Sequence, residues 1–179
     1  MSNKVSKLTG VIKMSKKTDR TGEVGISNEG YVMRIVKYNN ANDIIVEFQD
    51  EHRYRLHTGY DNFKEGKCKN PFFPSVYGYG YLGVDKNGNV PKTKELKDGK
   101  WVTTWEYDKW KNMLQRCFDN KYKEKYPTYK DVTCCDRWLC FSYFLEDLAV
   151  LKQEYNWSAD EKLQLDKDIL HKDNKIYIA

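Results

Sequence analysis

No apolar run in this chain is long enough to cross a bilayer, which takes about 20 predominantly apolar residues, so no membrane partner is expected. The N-terminus also lacks the apolar stretch of a secretory leader, and secretion is not expected either. Cys68, Cys117, Cys134, Cys135 and Cys140 are odd in number and show no disulfide-framework spacing; free thiols in a reducing cytoplasm are the expectation. Cys134, Cys135 and Cys140 cluster, yet no Cys-x-x-Cys occurs. The close ligand pairs of a structural zinc site are therefore missing, and no metal is assigned to them. Internal repeats and low-complexity tracts are absent as well, which excludes a solenoid or a tail-like chain.

What the chain has in quantity is aromatic surface and localised charge. Hydrophobic residues make up 40% of the 179 residues, on the low side, while aromatics reach 15%, with 14 tyrosines and five tryptophans. Most fall at periodic positions, which reads as core-filling before it reads as a base-stacking platform. The net charge is +5, and residues 1–20 carry Lys4, Lys7, Lys13, Lys16, Lys17 and Arg20 against Asp19 alone. The whole excess thus sits in one basic arm, an arrangement that favours a polyanion through counterion release.

The pattern predicts an α+β protein. Residues 1–29 read as arm and lead-in loop. Within residues 30–84, β-branched and aromatic runs at 31–38, 43–48 and 52–58 predict a small three-stranded antiparallel β-domain, with turn chemistry at Asn39-Asn40-Ala41-Asn42 and a brief helix at 60–65 stopped by Gly66. Residues 85–100, rich in Asp, Asn, Gly and Lys, predict a linker and the domain boundary. Residues 101–179 predict a helical domain with a terminal β-hairpin. Thr103 with Glu106 makes a capping box, flanked by Val102 and Tyr107, and Tyr107, Trp110, Leu114 and Cys117 recur at helical spacing. Asp136 is placed to cap a second helix, where Trp138, Phe141, Leu145 and Leu148 recur in the same way.

In the third expected strand Arg53, Arg55 and His57 alternate with His52, Tyr54 and Leu56, which puts the two arginines on one face. Arg34 and Lys37 of the first strand should fall on opposite faces, so that only one joins them. Such a face resembles the sheet readers of plant ethylene-response-type domains, which lay strands in a DNA groove. Arg34, Arg53, Arg55 and His57, with Lys13, Lys16, Lys17 and Arg20 of the arm, are the candidate nucleic-acid contacts. Asp43 and Glu47 on the second strand offer a rival use for the arginines, as cross-strand ion pairs.

Residues 163–177 (LQLDKDILHKDNKIY), 107–117 (YDKWKNMLQRC), 127–132 (PTYKDV), 135–141 (CDRWLCF) and 75–83 (SVYGYGYLG, after Asn70-Pro71) occur in this chain in an order that resembles a family of tailed-phage proteins identified as HNH or homing-type endonucleases. The resemblance implies a degenerate HNH-like module at the C-terminal end. A one-metal nuclease of that type needs a histidine to activate water and further side chains on a divalent ion. Asp166, Asp168 and Asn174 could hold Mg²⁺ through oxygen, with His171 in the turn, but the first arm of the hairpin has no histidine. In the relatives the segment continues, whereas here it stops at Ala179. The expectation is therefore a DNA-binding protein related to homing endonucleases, cleaving little or not at all, with duplex DNA as partner. An alternative is a phage-encoded inhibitor of a host nucleoprotein or defence nuclease, and a further one is a Mg²⁺-dependent nicking enzyme.

Overall fold

The computed structural model describes residues 18–154, 156 and 175–178. The chain divides into two compact units, Met1–Cys68 and Lys69–Ala179.

The first unit is a four-stranded antiparallel sheet in the order β1 (Val24–Ile26), β2 (Val32–Asn40), β3 (Asp43–Phe48), β4 (Arg55–Thr58), followed by the short helix α1 (Tyr60–Lys64). Side chains alternate between faces along a strand. Met33 and Ile35 of β2 and Ile44, Val46 and Phe48 of β3 therefore all point one way, and they form a core with Phe63 and Cys68. Gly66, at φ +67°, ends α1 as its sequence position suggests.

Two details depart from the expectation. The strand β1 is additional, and its inward-facing residue is Gly25, where a Cβ would come within 2.9 Å of the Phe63 ring. Its two side chains, Val24 and Ile26, both face solvent, so no buried alternation marks it in the sequence. The last strand begins at Arg55, not at residue 52. Asp50 Oδ1 accepts hydrogen bonds from the backbone N–H groups of His52 and Arg53, each at 3.1 Å, and Arg53 is turned to φ +49°. An Asx-type turn thus takes the place of the first strand residues.

The second unit starts at Lys69, well before the linker expected at residues 85–100. The reason lies in where residues 71–84 make their backbone bonds. Tyr81 N–H donates to Leu139 at 2.9 Å, Phe141 N–H to Tyr81 at 2.9 Å and Ser142 N–H to Leu82 at 3.0 Å, while Val76 joins the helical core. The glycine-punctuated aromatic segment is thereby part of the helical unit; a Cβ on Gly80 would overlap Leu114 and crowd Trp110. Residues within and beside the expected linker pair as a hairpin, β5 (Lys94–Lys97) with β6 (Lys100–Thr103).

Helix α2 (Trp105–Phe118) follows directly. Its cap is Thr104, whose Oγ1 accepts from Tyr107 N–H at 3.4 Å. Thr103, the expected cap, is held in β6 opposite Lys94, which moves the start of the helix on by one residue. A short helix α3 (Asn120–Lys125), a 3-10 turn at Pro127–Tyr129, and the two-residue strand β7 (Thr133–Cys134) come next. The expected second helix is split. Asp136–Leu139 form a 3-10 turn, and α4 (Phe141–Glu154) begins after it. Trp110, Met113, Leu114 and Cys117 of α2 meet Phe141, Phe144 and Leu148 of α4, with Trp138 and Val132 completing an aromatic core. Trp110 Nε1 donates to the Trp138 carbonyl at 2.7 Å, so the buried indole keeps its hydrogen bond.

The last strand, β8 (Ile176–Tyr177), pairs in parallel with β7. Tyr177 is buried, and its hydroxyl accepts from Arg116 Nη1 at 3.1 Å. The first arm of the expected terminal hairpin lies outside the described residues. Among the described residues, no helix is long and apolar enough to cross a membrane.

Candidate nucleic-acid interface

The face of the sheet opposite the core carries the cationic groups, and a β-bulge decides which of them meet. Between Ile35 and Lys37 the pairing of β2 with β3 shifts, so that Arg34 stands opposite Glu47 while Lys37 stands opposite Ile45. Glu47 and Ile45 are two apart on β3 and share a face. The extra residue, Val36, therefore turns Lys37 to the same side as Arg34. This corrects the expectation of opposite faces, which strict alternation requires and a bulge breaks.

Across the next ladder Glu47 faces Arg55 and Ile45 faces His57. One row of the sheet thus runs Val24, Arg34, Glu47, Arg55 and the next Lys37, Ile45, His57. Glu47 is the hub. Its Oε2 accepts from Arg55 Nε at 2.8 Å and its Oε1 from Arg53 Nη1 at 3.4 Å, while Arg53 Nη1 also donates to Gln49 Oε1 at 2.8 Å. The carboxylate is 14% exposed, whereas the Arg53 and Arg55 side chains are 60% and 66% exposed. One mostly covered acid thus orients two guanidinium groups that remain open to solvent. Arg55 uses only Nε in this contact, which leaves both Nη groups free for a bidentate partner. The Arg55 hydrogen bond holds the Glu47 carboxyl below the usual range, against the opposing effect of partial burial.

His57 is engaged with Asp43: Nε2 and Oδ1 are 2.5 Å apart, and Asn39 Nδ2 donates to Asp43 Oδ2 at 2.9 Å. These two bonds, His57 first, depress the Asp43 carboxyl. Arg34 makes no ion pair among the described residues. Arg20 is elsewhere. It lies 4.3 Å from the centre of the Tyr60 ring and is bonded to Glu23 at 3.1 Å, and Tyr60 packs with the core-side cluster. It is therefore not a loose cation of the arm. Lys13, Lys16 and Lys17 lie outside the described residues, as do Asp166, Asp168, His171 and Asn174.

Sequence reasoning missed the apolar part of the same face. Val24, Ile26 and Val32 are exposed, with Ile26 directly opposite Val32. Only the pairing of the short strand β1 brings them together.

Two shallow hollows lie among the described residues of the helical unit. One, about 430 Å³, is lined by Asp85, Lys92, Glu106, Phe141 and Glu146 among others. The other, about 550 Å³, is lined by Tyr77, Tyr79, Phe118, Lys123 and Lys130 among others. No histidine lines either among the described residues. All five cysteines are free thiols. A hydrogen bond with Cys117, together with burial, raises the Cys134 thiol above its ordinary range, and both thiols lie in the aromatic core of this unit. Among the described residues no group of three or more His, Cys, Asp or Glu is disposed to hold a metal. Neither a protein-family model nor a curated protein nor a solved structure matches this chain.

Proposed function

We propose that this chain is a DNA-binding protein, related to homing-type endonucleases and cleaving little or not at all, whose reader is the solvent face of the four-stranded sheet. The observation that carries the reading is the Glu47 hub. Arg53 and Arg55 are pre-oriented by one carboxylate yet mostly open, Arg34 stands opposite the same carboxylate, and the bulge adds Lys37. Four cations against Asp43 and Glu47 leave the face positive. Fixing a guanidinium before binding reduces the entropy lost when it pairs with a phosphate or with guanine O6 and N7. The basic arm would add sequence-independent attraction. The protein would act in the cytoplasm of a bacterial host.

The test is a mobility-shift assay with duplex DNA, with and without Mg²⁺, scored for both binding and cleavage. Arg53→Ala with Arg55→Ala is expected to weaken duplex binding by about 2–5 kcal/mol, with the fold retained. Unchanged affinity in a folded double variant overturns the reading. Nicking of supercoiled plasmid that is lost in both Asp168→Ala and His171→Ala would replace it with the Mg²⁺-dependent nicking enzyme.

A second reading, an inhibitor that occupies a host nucleoprotein or defence nuclease, draws on the exposed aliphatic group Val24, Ile26 and Val32 beside the arginines. Apolar area rimmed by cations suits a protein surface better than bare phosphate. Val32→Glu would then abolish salt-resistant capture of a protein partner while leaving duplex binding in place.

A further inference from the structure

The hollow of about 550 Å³ in the helical unit is walled by separate segments of the chain. Tyr77 and Tyr79 belong to the turn between Val76 and Gly80, whose backbone groups bond to each other at 2.9 and 2.8 Å. Phe118 is the last residue of α2, Lys123 lies on α3, and Lys130 and Asp131 follow the 3-10 turn at Pro127–Tyr129. The turn between Val76 and Gly80 is a strained one. Tyr77 sits at φ +52°, a region that a bulky side chain rarely enters, and such strain gathers at ligand sites. The turn sets Tyr79 on Phe118, with ring centres 4.2 Å apart and planes 19° from parallel. Phe118 covers one face of that ring, yet Tyr79 is 53% exposed, so the ring is a fixed platform with an open face.

The cations of the same hollow lack an acid. The Lys123 ammonium donates to the carbonyls of Lys130 and Val132, each at 3.2 Å. Those bonds hold a half-buried charge in place without neutralising it, and one of the three N–H groups is left over. Among the described residues neither Lys123 nor Lys130 has an ion-pair partner, and the exposed Asp131, which also lines the hollow, pairs with neither. Two lysines against one carboxylate leave the hollow with a charge of +1 beside an open ring.

We infer that this hollow seats one unpaired nucleotide of a nucleic-acid strand, its base on the open face of Tyr79 and its phosphodiester between Lys123 and Lys130. Stacking on an aromatic ring and pairing with lysine are the two contacts by which single strands are held, and here both kinds of group line one hollow. The stacked ring and the tethered ammonium are in place before binding, which limits the ordering cost. Charge separates this ligand from its rivals. A phosphodiester brings a single negative charge, the complement of +1. A phosphotyrosine also offers a ring and a phosphate, but its monoester carries about −1.5 to −2 and would be set against Asp131. A neutral aromatic would leave Lys123 without a counter-charge. The inference stands on the helical unit and not on the Glu47 hub, and it adds unpaired strands to the duplex of the proposed function.

The test uses the full chain and a labelled oligothymidylate of about 4 nucleotides, with anisotropy as readout. The intact protein should bind it. Tyr79→Ala should weaken that binding about tenfold or more, and Tyr79→Phe should keep most of it. Lys130→Ala should lower the salt slope by roughly 0.7, and Asp131→Asn should tighten binding by removing a repelling charge. In the unaltered protein the amide resonances of Tyr79 and Lys130 should move on titration, a readout that no misfolded variant can mimic. Absence of binding, an unaffected Tyr79→Ala, a weakened Asp131→Asn, or displacement of the oligothymidylate by a lower concentration of phosphotyrosine peptide would each overturn the inference. Repeating the titration in the Arg53→Ala, Arg55→Ala background separates the two surfaces. Binding retained there assigns the strand to the hollow, and binding lost there assigns it to the sheet and removes the hollow.

Discussion

The two units reach their cores by opposite means. The sheet unit buries mainly aliphatic side chains, Met33, Ile35, Ile44 and Val46, on alternate positions of neighbouring strands, with Phe48 and Phe63 beside them. The helical unit buries Trp110, Trp138, Phe141 and Phe144, which meet as interlocked rings: Trp110 and Phe141 with centres 5.1 Å apart, Trp138 and Phe144 edge to face at 5.3 Å. In the sheet, most of the pairing joins strands that are consecutive in the chain, with Phe63 reaching back to Gly25. In the helical unit the contacts span long loops, as Trp110 to Trp138, Tyr81 to Leu139 and Thr133 to Lys175 show. A core of few large rings joined by distant segments is sensitive to the loss of any one of them, because the cavity left behind is large and its lining belongs to several elements that cannot all collapse inward.

The largest effect should therefore follow Trp110→Ala. Removal of this fully buried indole and its bond to Trp138 should cost the helical unit about 3–5 kcal/mol, read as an earlier urea transition. Amide resonances of the sheet unit should keep their positions. If those resonances shift or vanish together with the helical ones, the two cores are not independent and the comparison fails.

Ile44→Ala in the sheet should cost about 2–4 kcal/mol, at or below the Trp110 figure. A greater loss than Trp110→Ala in the same denaturant series would reverse the ranking of the two cores.

Thr104→Ala removes the side-chain acceptor for Tyr107 N–H and should lower stability by about 0.5–2 kcal/mol. Thr103→Ala, at the strand position, should cost less. The reverse order would show that the capping box expected from the sequence, with Thr103 as its cap, is the one that operates.

The smallest effect concerns acid. Asp43 and Glu47 titrate below their unfolded values, because His57 and Arg55 bond their charged forms. Their contribution is present above the ordinary carboxylate range of about pH 4 and is lost as pH falls through the depressed values. The sheet transition should therefore weaken on acidification below about pH 4, and Glu47→Gln should flatten that slope. An equal slope in Glu47→Gln would show that the hub orients the arginines without stabilising the sheet.

Much of this was legible along the chain. Period-two alternation identifies residues 43–48, period-three-to-four spacing identifies the face of α2, and Gly66 marks the end of α1, because these are local rules of backbone geometry. The pairing of Arg55 with Glu47 was also readable from strand alternation, whereas Arg53, expected in the same strand, reaches Glu47 from the turn before it. Other features had no local signature. The β1 strand hides because Gly25 occupies its inward position against Phe63. The bulge at Val36, which adds Lys37 to the face, depends on how β2 meets β3. The place of Tyr81 in the helical unit depends on a bridge to Cys140. Local pattern was enough for the α+β class, the elements with strong periodicity and the residue types on the cationic face. Which strands pair, where one unit gives way to the next and which charges meet had to come from the folded chain. Those are settled by contacts between distant segments, whose gain in burial and hydrogen bonding no local pattern records.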